Sequence, residues 1–121
     1  MKQSIVLFAH GSRDPLWSKP IEAIAQAIFA ASAQCEVRCA YLEFMAPTLA
    51  AAIAELEACH VTNIRIVPMF LGVGKHARED LPNIAEALQR DYPNLTLELQ
   101  PSIGEHPELI TAIANILTKN L

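Results

Sequence analysis

The chain has 121 residues, 52% of them hydrophobic and 18% charged, with a formal net charge of -4. That length is expected to form one domain, 1–121, with a single core. The acidic balance excludes the basic footprint of a nucleic-acid binder, and no run nears the roughly 18 apolar residues of a membrane span. A charged fraction below the usual value of roughly 25% points to extra buried surface, and so to an oligomer. The opening MKQSIVLFAHGS reaches its Gly11-Ser12 turn too soon for a secretory signal, so the expected location is cytoplasmic.

Residues 4–9 read as an apolar strand and 15–33 as mostly helix, with Asp14-Pro15 or Ser18 with Pro20 as rival starts. Residues 36–43 alternate weakly and read as a second strand; 47–58, rich in alanine and leucine and opened by Pro47, read as the second helix. Residues 64–71 are apolar nearly throughout apart from Arg65, the pattern of a parallel strand covered on both faces. Within that strand Pro68 removes a ladder hydrogen bond and predicts a bulge or local distortion. Gly72 and Gly74 then let the chain turn, and the turn delivers His76. Asp80, Leu81 and Pro82 look like a capped helix start, which places the third helix from about residue 82 to 90. A strand over 95–99 and a helix over 107–119 complete the order βαβαβαβα. Such alternation with short links predicts an α/β fold of three layers, a four-stranded parallel sheet with right-handed crossovers and helices on both faces.

Ligands of an open parallel sheet bind beyond the carboxyl ends of its strands. His10 follows the first strand, Glu43 ends the second and His76 follows the third. If the first and third strands are neighbours, as in the flavodoxin-like order, all three side chains share one rim. Two imidazoles and a carboxylate there suit a divalent transition metal, and because neutral imidazole is the donor form, activity should fall in acid. His60 should lie at the opposite rim, and His106 before Pro107 reads as a capping or loop residue. Cys35 and Cys39 stand four apart in a strand, about 13 Å at ~3.3 Å per residue, too far to bridge, and read as reduced thiols. Cys59-His60 has nothing to complete a site.

Other templates fit less well. Gly72-Val73-Gly74-Lys75 lacks the first glycine and the Ser/Thr of a Walker loop. Gly72, Gly74 and Ala77 match the loose spacing of a dinucleotide fingerprint, but a helix beginning near Asp80 starts too late to receive a pyrophosphate. Ser12 has no G-x-S-x-G elbow.

The segments AHGSRDP, YLEF and PMFLGVGKHAREDLP, each at a strand end, resemble those of the small, single-domain sirohydrochlorin cobaltochelatases, the short form of the class II chelatases. The resemblance spans essentially the whole chain and implies a chelatase-like half unit. It also implies insertion of a divalent metal, Co²⁺ first and Ni²⁺ or Fe²⁺ as alternatives, into sirohydrochlorin, with the metal as substrate and no resident cofactor. By position, His10 matches the metal ligand and proton acceptor and His76 the second ligand. Glu43 matches a substrate-contacting carboxylate, and Phe70, Leu71, Gly72, Val73, Gly74 and Lys75 match the substrate-binding segment. Arg13 and Arg78, with Lys19 and Lys75, would offer positive charge to the substrate carboxylates. A four-stranded unit makes one wall of a large flat cleft, so a homodimer is expected. Two readings from other classes stand beside this one: a non-catalytic Co/Ni-binding module or metallochaperone, and a flavodoxin-like binding or regulatory domain.

Overall fold

The computed structural model describes residues 3–121. Four strands, β1 (Gln3–Ala9), β2 (Glu36–Tyr41), β3 (Asn63–Pro68) and β4 (Thr96–Leu99), pair in parallel in the order β2-β1-β3-β4. The first and third strands are therefore neighbours, which meets the condition for a shared rim. Between and after them run the helices α1 (Lys19–Ala31), α2 (Leu49–Ala58), α3 (Lys75–Asp91) and α4 (Pro107–Leu117), the last preceded by a 3-10 turn, Ile103–Glu105.

Strand alternation decides what each helix covers. Val6, Phe8, Ile64 and Ile66 point to one face, where they form a buried cluster with Ala52, Ile53 and Leu56 of α2 and with Leu81 and Leu88 of α3. Burying each large aliphatic side chain of this kind contributes about 1.5–3 kcal/mol. On β2, Arg38 turns to the α2 side, with its Nε 2.8 Å from Glu55. The next residue, Cys39, turns the other way, its Sγ 3.9 Å from the Ile21 carbonyl of α1. Helices thus lie on both faces. The far end of α3 is pinned to the sheet by Gln89, whose amide donates to the carbonyls of Tyr92 (3.1 Å) and Leu95 (2.7 Å) and accepts from the Leu97 N–H (3.0 Å).

Several boundaries differ from the sequence expectation. Of the two rival starts of the first helix, Ser18 with Pro20 is the one formed, because Asp14 folds residues 14–17 into a separate turn: its carboxylate accepts from the Leu16 N–H at 2.9 Å. The second begins at Leu49 because Thr48, not Pro47, caps it through a 3.2 Å bond from the Ala51 N–H. The largest correction concerns α3, which starts at Lys75 rather than near Pro82 and carries Pro82 in its interior. The expected bulge at Pro68 is not formed: β1 and β3 pair one for one from Gln3↔Asn63 to Phe8↔Pro68. The Ile66 carbonyl accepts from Gln100, so every second residue faces β4, and Pro68's missing N–H points to where β4 has already ended at Leu99. Only the last rung of that ladder is lost.

The three cysteines are free thiols. Burial pushes the Cys35 and Cys39 thiols up from their ordinary range, keeping them neutral and poor as ligands at physiological pH. Among the described residues no helix is long and apolar enough to cross a membrane.

Candidate active site

The carboxyl edge of β1 delivers His10, and the pairing with β2 continues past both strands as a loop contact. The Leu42 N–H donates to Ala9 (2.9 Å) and the Glu43 N–H to the His10 carbonyl (3.0 Å), which fixes Glu43 beside the histidine. Gly11 makes this closeness attainable. It adopts a left-handed φ of +93°, and a Cβ there would stand 1.9 Å from the Glu43 carbonyl oxygen. Ser12 and Asp14 serve the turn beyond, the Ser12 hydroxyl accepting from the Asp14 N–H at 3.0 Å.

From the other side, the Met69 N–H donates to Phe8 (2.8 Å) and carries the chain to Phe70. The Phe70 ring is 5% exposed and lies 4.4 Å, centroid to centroid, from the His10 imidazole at a 36° tilt. It therefore backs the imidazole instead of facing solvent, while Leu71 beside it is 72% exposed on the rim. Neither Gly72 nor Gly74 is needed for a tight approach: an added Cβ at either meets nothing within 4 Å, and Gly74, the residue before α3, has φ −68°. Val73 packs against the core cluster.

His10 and Glu43 line a cleft of about 290 Å³ whose opposite wall is α3, through Ala77, Asp80, Leu81 and Ile84. Asp80 was not expected there. The earlier start of α3 explains it: Ala77, Asp80, Leu81 and Ile84 stand at i, i+3, i+4 and i+7, one helical face turned to the sheet. With this start a helix N-terminus does follow Gly72 and Gly74 directly, yet the strand-to-helix turn uses no left-handed glycine, unlike a dinucleotide-binding turn. His76 and Lys75 occupy the exposed first turn of α3; His76 does not line the cleft, but it is the i−4 neighbour of Asp80, which does. Among the described residues, no three His, Cys, Asp or Glu side chains form a ready-made metal cage.

The expected cations are divided. The Arg13 guanidinium sits 4.7 Å over the Phe44 ring on the loop after β2, a cation–π contact. Arg78 lines a second cleft of about 520 Å³, with Leu71, Gly72, Val73 and Glu105, which shares only Leu81 of α3 with the His10 cleft. Leu42, Phe44 and Leu71 leave exposed apolar surface on the carboxyl rim. His60, with a positive φ of 64°, precedes β3 at the other end of the sheet, and His106 holds the residue position before α4, as expected of both.

Comparisons with known proteins give the family and the fold. The family model CbiX matches residues 4–120. A sirohydrochlorin cobaltochelatase of Methanosarcina acetivorans is 36% identical over 83 residues, 69% of this chain and 64% of that protein. A sirohydrochlorin ferrochelatase of Bacillus subtilis is 26% identical over 113 residues, 93% of this chain but 43% of its own length. The matched stretch thus spans less than two thirds of either relative. Among solved structures, a CbiX protein from Marinobacter aquaeolei superposes with a TM-score of 0.84 at 30% identity, covering 95% of this chain and 93% of that one. The sirohydrochlorin chelatase SirB of Bacillus subtilis subspecies spizizenii, in complex with cobalt, gives 0.80 at 25% identity, covering 97% of this chain and 50% of that one.

Proposed function

The chain belongs to the CbiX family, and on that premise we propose that it inserts a divalent metal, Co²⁺ first with Ni²⁺ and Fe²⁺ as alternatives, into sirohydrochlorin. The observation that carries the reading is His10: an exposed imidazole at a strand end, backed by Phe70 and flanked by Glu43, across a cleft from Asp80. Metallation needs a cation stripped of part of its water, a flat ring held against it and acceptors for two pyrrole protons. His10 and His76 hold the ion through neutral ring nitrogens, and a binding mode limited to two imidazoles allows the ion to be handed on. His10 then accepts one pyrrole proton and Glu43 the other, each passing it to water. Asp80 lowers the local potential and so favours the cation. Leu42, Phe44 and Leu71 supply apolar surface to the ring, while Lys75, Arg13 and Arg78 meet its carboxylates.

A homodimer follows from the same reading. Neither α1 nor α4 has a buried residue, and Ile110, Ile116 and Leu117 of α4 are largely exposed, so both helices offer apolar surface to a second copy. The test is the absorption spectrum of sirohydrochlorin mixed with catalytic amounts of protein and each metal in turn. The spectrum of the metallated product should appear with turnover, fastest with Co²⁺, from a species that light scattering identifies as a dimer. Stoichiometric metal binding without turnover would assign the chain to metal carriage instead, and full activity from a monomer would remove the dimer.

A further inference from the structure

We infer that Gly104 is a positioning residue for His10, acting through the backbone of the segment that carries Phe70 and Leu71; its catalytic consequence rests on the reading of His10 given above. Gly104 sits in the middle of the 3-10 turn and is not among the residues that line the His10 cleft. Its N–H donates to the Phe70 carbonyl at 3.0 Å. A Cβ at this position would stand 2.0 Å from the Leu71 carbonyl oxygen and 2.6 Å from the Leu71 Cα. Both are main-chain atoms, so no side-chain rotation relieves the overlap, and the segment 70–71 itself must move.

The turn is held from its own side. Ser102 is buried, its N–H donates to the Glu105 carboxylate at 3.1 Å, and its side chain accepts from the Glu105 backbone in return. The chain enters the turn from Gln100, bonded to Ile66 of β3 at 2.9 Å, and leaves it through His106, bonded to Ile103 at 3.2 Å. A fixed backstop therefore presses on one side of Phe70–Leu71, and the Phe70 ring meets the imidazole of His10 on the other. Packed interiors pass such displacements on instead of absorbing them. The missing side chain at Gly104 thus sets how far Phe70 advances, and with it where the His10 nitrogens stand and how Leu71 projects from the rim.

The experiment is proton NMR of the metal-free chain, read as Overhauser contacts between the His10 and Phe70 rings at one fixed pH. In Gly104→Ala these contacts should weaken and the His10 ring resonances move, while Gly72→Ala, whose Cβ meets nothing within 4 Å, should leave both in place. Co²⁺ insertion by Gly104→Ala should fall about 100-fold in kcat, the effect of a misplacement of about 1 Å at a reacting group. Should that variant not fold, Glu105→Ala loosens the turn without adding bulk and should shift the same contacts less. Unchanged ring contacts in the folded Gly104→Ala, or in Glu105→Ala if that variant alone folds, would overturn the positioning role. A wild-type chain that performs no insertion yet shows Gly104-dependent contacts would remove the chelatase reading and leave the coupling standing.

Discussion

Replacing His10 by alanine is expected to lower the rate of Co²⁺ insertion into sirohydrochlorin by about 10²–10⁴-fold, the usual loss when a positioned proton acceptor is removed. The fold should survive. His10 is exposed, and its ring contact with Phe70 is of a kind that contributes about 0.5–1.5 kcal/mol. Against a typical domain stability of about 5–15 kcal/mol, that loss leaves most molecules native at 25 °C. The decrease should therefore appear in kcat and in Co²⁺ affinity, with the urea midpoint lowered only slightly. His60→Ala is the matched control, since His60 lies at the other end of the sheet. A His10→Ala protein that still turns over at the wild-type rate would exclude the imidazole from both proposed roles.

Gly11→Ala should be the most damaging single methyl that can be added near the site. Alanine at φ +93° is strained by about 1–3 kcal/mol before any contact is counted. Its Cβ would in addition stand 1.9 Å from the Glu43 carbonyl, far inside van der Waals contact and against main chain on the other side. The loop after β2 must then separate from His10, which breaks the 3.0 Å bond from the Glu43 N–H and takes the carboxylate with it. Urea unfolding should show a loss of at least about 2 kcal/mol, with reduced insertion in the fraction that folds. Gly72→Ala, with open space and an ordinary backbone, should change stability by less than about 1 kcal/mol. Equal midpoints for Gly11→Ala and wild type would mean that the two loops do not touch in solution.

Much of this architecture was legible in the chain. The strand and helix periods specify the element order and the short links parallel pairing, whereas the adjacency of β1 and β3 enters the sequence reading only as a condition, which the sheet order meets. His10 beside Glu43 was legible because each lies just past the end of one of two paired strands. The start of α3 was not. Asp80-Leu81-Pro82 carries every local mark of a helix beginning, and an interior proline costs about 3 kcal/mol. That local preference is overridden by tertiary packing, because a helix begun at Lys75 sets Ala77, Leu81, Ile84 and Leu88 on one face over the sheet. A helix placed from residue 82 makes Asp80 a cap and hides its place in the cleft.

The glycines mislead in the other direction. Gly72 and Gly74 stand out in sequence because they are close together, yet the two under real constraint are Gly11 and Gly104. Each meets main chain from a segment far along the sequence, Glu43 and Leu71, and no local pattern encodes such a contact. Phe70 was legible as a neighbour of the site but not as the buried support of the imidazole. The turn at 103–105 did have a readable mark, the Ser102-x-x-Glu105 capping box, which the structure forms.

The central claim, that His10 and His76 serve one ion, is tested most directly by titrating the isolated chain with paramagnetic Co²⁺ while following all four histidine rings by NMR. The account predicts that the His10 and His76 ring signals shift or broaden together, at one and the same stoichiometry, while those of His60 and His106 stay in place. Responses of His10 and His76 at different stoichiometries, or a first response at His60 or His106, would contradict it.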